Sequence, residues 1–160
     1  MRLMVQKFVI LLVGSAIVMP AGYLAAAELT PAEIIKTRQE HLKDMGASMK
    51  AIVDQVKTGK PDVSIATDAA KKIAAYSREL PKWFPKGTGD EAGIKTAAKP
   101  EIWAQPDDFQ AAAEKLPPEA DKLVEAAATG DAAMIGAQLQ ATGKACQGCH
   151  KVFRVPPQEH

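Results

Sequence analysis

Both cysteines of this 160-residue chain fall within one four-residue step, Cys146-Gln147-Gly148-Cys149, and His150 follows at once. On a helix, a three-residue step from Cys146 to Cys149 and a four-residue step to His150 put the three side chains on neighbouring parts of one face. That spacing suits a flat cofactor, and CxxCH is the signature of c-type haem attachment. Two sulfurs bond the vinyl groups of the porphyrin and the adjacent histidine reaches the iron. The rivals fit less well. A thioredoxin-type dithiol shares the spacing but follows a strand, and no strand pattern precedes Ala145. A zinc site wants four ligands, whereas only His41 and His160 remain and neither has paired ligand spacing. A structural disulfide across two intervening residues closes too small a loop to restrain the unfolded chain much.

Residues 1–27 read as an export signal rather than as part of a fold. Arg2 and Lys7 supply a positive start, Phe8 to Met19 is an apolar run, and Ala25-Ala26-Ala27 is the small-residue pattern at which signal peptidase cuts. The expected products are a signal peptide cleaved after Ala27 and a single domain spanning 28–160, in the periplasm. The competing reading is a retained N-terminal anchor, which Pro20 and Gly22 disfavour. Without Arg2 and Lys7, the 20 basic side chains fall to 18 against 19 acidic, a net charge of −1. There is no basic block, arginine stripe or aromatic platform, so no nucleic-acid partner is expected.

The motif needs a helix to carry it, and the whole chain from Thr30 onward reads as helical. Ala, Lys, Glu, Gln and Leu dominate and nothing alternates over strand length. Thr30-Pro31 with Glu33 is a helix start, and Ile34, Arg38, Leu42, Met45, Met49, Ile52 and Val56 form one stripe ending near Gly59. A second helix is expected over 62–79, with Val63, Ala66, Ala70, Ile73 and Ala74 inward. Residues 80–100 hold three prolines, three glycines and the exposed-looking Trp83-Phe84, and read as an ordered loop packed by its own aromatics. A third helix starts near Pro106, Pro117-Pro118 should kink or split it, and Gly130 ends it. Asp131 caps a fourth, which carries Met134, Leu139, Cys146, Cys149, Val152 and Phe153. The expected fold class is all-α, an antiparallel four-helix bundle with covalently attached haem.

With CxxCH near the C-terminus of a four-helix chain, the sequence resembles the cytochrome c′ family, the class II c-type cytochromes. The likeness runs from about Pro31 to Arg154 and rests on TRQEHLKDMG, LPKWFPKGTG, KPEIW and GKACQGCHKVFR. It implies one haem c, with Cys146 and Cys149 as the thioether cysteines and His150 as the proximal iron ligand. Arg38 matches the arginine that reaches a haem propionate, and Arg154 resembles the basic residue beside the proximal face; the bland alternatives are a solvent-facing charge and a dipole-complementing one. Met-ligated, low-spin members resemble RQxxM, whereas this chain has RQEHL, and Leu42 cannot coordinate iron. Two departures from the family pattern are Pro117-Pro118 within a usually continuous helix and Thr37 where an aromatic is common.

The resemblance implies a haem protein with five-coordinate, high-spin iron that binds NO or CO behind Leu42 and also passes electrons to redox partner proteins. An apolar wall without a hydrogen-bond donor does little for polarised O₂. The alternative is a six-coordinate electron carrier with Met45 or His41 as sixth ligand, although Met45 and Met49 lie on the apolar stripe and His41 reads as solvent-facing. No enzyme active site is visible. Family members are commonly dimers through the first two helices, so a homodimer is expected, helped by the alanine-rich face of 62–79.

Overall fold

The computed structural model describes residues 29–156, so the expected export signal at 1–27, with Glu28, and His160 lie outside the described residues. Among the described residues, no helix is long and apolar enough to cross a membrane. The chain folds into helices α1 (Pro31–Lys57), α2 (Val63–Glu79), α3 (Glu101–Ala104), α4 (Pro106–Ala113), α5 (Leu116–Thr129) and α6 (Ala132–Phe153). Two 3₁₀ turns, Leu80–Trp83 and Asp90–Ala92, lie between α2 and α3. α1 packs on α2, α2 on α5, α5 on α6 and α6 on α1, which closes a four-helix ring; α4 packs on α6 and continues into α5.

Local chemistry explains the element starts. The Thr30 hydroxyl accepts from the Glu33 N–H at 3.3 Å while the Glu33 carboxylate accepts from the Thr30 N–H at 2.8 Å, a reciprocal cap that uses two N–H groups with no intrahelical partner. Asp62 accepts from Ile65 N–H at the head of α2, and Asp131 from Ala133 and Met134 N–H at the head of α6. The expected split at Pro117-Pro118 occurs, but just ahead of them. α4 ends at Ala113, and both prolines sit in the first turn of α5, where a missing N–H costs little. The four-residue α3 was not expected.

Small residues bring α2 and α5 together. Ala66, Ala70 and Ala74 meet Ala120, Ala126 and Ala127 in a buried core completed by Ile52, Ile73, Leu123 and Ile135. The alanine-rich face of α2 is therefore spent inside its own bundle, which removes it as the expected dimer surface; only outward residues such as Ile65, 48% exposed, are left on that helix. The stripe on α1 is shifted too: Ile35 is buried where Ile34 was expected, and Leu42 stays 36% exposed. Likewise Ile135 is buried in α6, while Met134 and Val152 are exposed. Val63, expected inward, is 44% exposed, being the first residue of α2.

Gly130 closes α5 at φ +69°, a left-handed conformation, and donates to the Ala127 carbonyl at 3.2 Å. A Cβ there would also lie 3.0 Å from Val63 Cγ2. Gly130→Ala should therefore cost about 1–2 kcal/mol, seen as a lower urea midpoint with an unchanged slope. A midpoint equal to that of the unmodified protein would show that the turn relaxes freely.

Candidate functional site

α6 brings Cys146, Cys149 and His150 to one wall of a cavity of about 560 Å³. The other walls come from α1 (Arg38, Leu42, Met45, Met49), from the loop (Phe84, Thr96, Ala98), and from α3 to α5 (Ile102, Phe109, Leu116). Protein interiors seldom leave gaps much larger than a water molecule, so an opening of this size in a bundle packed elsewhere with alanine is built for an occupant. Its walls are mainly apolar, its charged lining residues are Arg38, Lys43 and Arg154, and no carboxylate lines it.

No disulfide joins the two thiols, and burial raises both above the ordinary thiol range, with the neighbouring Cys146 as a second cause for Cys149. A redox dithiol or a zinc site needs the reverse, a thiolate favoured by nearby positive charge. Among the described residues, no three His, Cys, Asp or Glu side chains gather closely enough to hold a metal ion by themselves. The cysteines and His150 are thus spread along a wall rather than converged on a point. His150 keeps an exposed edge, yet desolvation and then the charge of Arg154 push its imidazole below the ordinary range. A neutral ring is what an iron ligand requires.

The floor of the cavity is aromatic. Phe109 stacks edge-on against Phe153 at 5.3 Å and against Phe84 at 5.0 Å, in a second buried cluster with Ile102 that Cys149 also touches. Trp103 Nε1–H donates to the Phe84 and Pro85 carbonyls at 3.1 and 3.0 Å, and the C-terminal end of α6 pairs with the loop through Lys99 N–H to Phe153 O and Val155 N–H to Ala97 O. Phe84, read as exposed-looking in a loop packed by its own aromatics, is half-buried, and Trp103 of KPEIW and Phe109 at the head of the expected third helix pack with it.

The remaining sequence candidates separate. Leu42, Met45 and Met49 all line the cavity; His41 does not. His41 was expected to face solvent but lies between Tyr76 and Trp83, with ring centroids 4.7 and 4.8 Å away. Tyr76 on α2 and Trp83 just after it flank this point of α1, and packing against two rings outweighs exposure. Trp83, expected to look outward, is half-buried for the same reason. Arg38 is 2% exposed and its guanidinium lies 4.5 Å over the Phe84 ring. It donates to Thr88 O at 3.0 Å, Thr88 Oγ1 at 3.1 Å, Thr96 Oγ1 at 3.2 Å and, more loosely, Trp83 O at 3.4 Å. Burial pulls its pKa down, but a guanidinium stays charged.

A family profile described as Cytochrome C′ matches residues 33–154. The chain belongs to the cytochrome c′ family. It is 41% identical over 126 residues to a cytochrome c′ of Pararhodospirillum photometricum, covering 78% of this chain and 98% of that one. A solved cytochrome c′ noted for an unusual ligand-controlled dimer dissociation superposes with a TM-score of 0.73 at 32% identity, covering 81% of this chain and all of that one. A nitric oxide complex of a variant cytochrome c prime from Alcaligenes xylosoxidans shares the fold, with a TM-score of 0.69 at 24% identity over 81% of this chain and all of that one. The chain is thus a haem protein rather than an enzyme, with haem c as its covalently attached cofactor and the four-helix bundle of its family. The cavity fits that group: an apolar opening, two thiols and a neutral imidazole on one wall, and cations without carboxylates around it.

Proposed function

We propose that this cytochrome c′ is exported to the periplasm, as is typical of the family, and binds NO or CO at its haem while also passing electrons to partner proteins. In this reading Cys146 and Cys149 each add an S–H across a vinyl group, so that an S–C and a C–H bond replace the vinyl π bond and no outside electrons are needed. His150 would ligate the iron. Haem would supply the redox and gas-binding chemistry; the chain decides what reaches it.

The observation that carries the reading is Leu42. It lines the cavity with 36% of its surface uncovered by protein, as an apolar lid over an apolar plate would be, and it offers no donor atom and no hydrogen bond. Gln39, a polar lining residue one turn before Leu42 on α1, spends its amide N–H on the Lys95 carbonyl at 2.9 Å. Leu42 itself offers a polarised O₂ no hydrogen bond, which favours small neutral diatomics. A nitric oxide complex exists for the Alcaligenes xylosoxidans protein, which is in keeping with this choice. The absorption spectrum of the reduced protein with and without CO tests the proposal: a broad Soret band that sharpens with CO is expected, and sharp bands indifferent to CO would overturn it.

One observation favours a second reading. Met45 lines the same cavity and carries a sulfur. Its 8% exposure and its place in the main core beside Ile52 and Ile73 mark it as filler that would have to leave that packing to coordinate. We also propose a homodimer, built on the outward faces of α1 and α2 now that the alanines of α2 are spoken for. Light scattering should give about twice the chain mass at micromolar concentration; a monomer throughout would end the idea.

A further inference from the structure

Charge is sorted between two parts of the described chain. The loop segment 92–100 and residues 132–156, which begin with α6, together carry Lys95, Lys99, Lys144, Lys151 and Arg154 and no carboxylate. Elsewhere the described chain carries 13 cations against 17 carboxylates. The two basic segments meet: Lys99 N–H donates to Phe153 O at 3.0 Å and Val155 N–H to Ala97 O at 2.8 Å, which lays the loop along the end of α6. The acids that flank them in the chain are engaged elsewhere. Asp131 caps the far end of α6, Glu91 accepts from the Gly89 N–H, and Glu101 buries one carboxylate oxygen.

Lys144 and Lys151 stand two helical turns apart, about 10 Å along the axis, on the stripe of α6 that points away from Cys146 and Cys149. Both are exposed, as are Gln147 and Gly148 between them and Val152 and Val155 just beyond. A Cβ at Gly148 would meet nothing within 4 Å, so the backbone turn that joins the two cysteines is bare on its outer side. None of the four lysines lines the cavity, so their exposure does not depend on what fills it, and none pairs with a described carboxylate. We infer that the outer face of α6, with the loop 95–99 beside it, is the docking surface for an acidic redox protein. The inference rests on the electron-transfer reading above and names the chemistry of the partner. A few lysines around two exposed valines suit the small, transient interface of an electron-transfer encounter, and charge of one sign on such a face speeds the approach of the opposite sign. The partner then meets the chain on the helix that carries the attachment motif.

Stopped-flow reduction of the haem-loaded protein by two reductants tests the face: flavodoxin hydroquinone, a small acidic protein, and photoreduced riboflavin, a small molecule without net charge. Lys144→Glu with Lys151→Glu should slow flavodoxin at least about tenfold at an ionic strength of about 10 mM, and far less near about 1 M, where charges are screened. Riboflavin should reduce the variant and the unmodified protein equally fast. Lys60→Glu with Lys71→Glu makes the same change in net charge on the side of the ring across from α6, and should slow flavodoxin less than about twofold. Equal slowing by the two pairs overturns the inference, because net charge alone then sets the rate. So does a different occupant, seen as sedimentation with phosphatidylglycerol vesicles that Lys144→Glu with Lys151→Glu abolishes, or as a change of mass for that variant in light scattering. Haem that neither reductant reduces is a separate failure, that of the electron-transfer reading itself.

Discussion

Replacing both Cys146 and Cys149 with alanine is expected to abolish covalent haem: acid acetone should strip all haem from the double variant and none from the unmodified protein. The expectation follows from where the thiols sit. Both line the cavity, burial raises the pKa of both, and among the described residues no further His, Cys, Asp or Glu gathers with them into a three-ligand metal site. Their only evident chemistry is addition to an apolar, unsaturated partner seated against them. Single variants should behave as partial cases, each retaining haem through one thioether, and their reduced spectra should differ because one vinyl group survives. Without its plate the apolar cavity is a void, and voids of this kind cost stability roughly in proportion to their volume. Double-variant apoprotein should therefore melt well below the holoprotein. Haem that extracts freely from the unmodified protein would refute the assignment of these two residues, while leaving the bundle untouched.

The bundle was legible because its signals are local. Thr30-Pro31-x-Glu33, Asp62 and Asp131 announce helix starts through groups within three residues of each other, and Gly130 announces an end through its own φ. CQGCH was legible because both its spacing and its chemistry lie in five consecutive residues. What could not be read is what depends on partners distant in the chain. His41 and Leu42 are adjacent on one helix, yet the first packs on Tyr76 and Trp83 and the second on the cavity. Periodicity gives the 100° turn between them but not which neighbour waits on either side. Arg38 illustrates the same limit. A buried arginine and a solvent-facing one look alike in a helical stripe, and its acceptors at Thr88 and Thr96 lie fifty residues or more away in a loop without periodicity. The alanines of α2 were read correctly as an inward face, but a sequence does not say that α5 is the helix they meet, nor that this leaves Ala66, Ala70 and Ala74 unable to serve a second chain.

Leu42 decides between gas binding and simple electron transfer, so its substitutions should have the largest effect after loss of the haem itself. Leu42→Met places a sulfur where the family's Met-ligated members carry one, on a side chain of similar volume that the cavity tolerates. The reduced variant should become low-spin, and CO should bind it more weakly by about tenfold or more, because an exogenous ligand must displace an intramolecular one present at an effective concentration of order millimolar. Leu42→Ala should do the opposite to access: the spin state stays high, while CO enters faster past a smaller lid. The same measurements on Met45→Leu and His41→Ala separate the alternatives by geometry. His41 lies outside the cavity between two aromatic rings, so His41→Ala should leave the spectrum unchanged and instead lower stability by about 0.5–1.5 kcal/mol for each lost ring contact. Met45 is within reach of the cavity, so a spectrum altered by Met45→Leu alone would mean that this buried sulfur leaves the core to close the iron, and that Leu42 guards an entrance rather than the binding position.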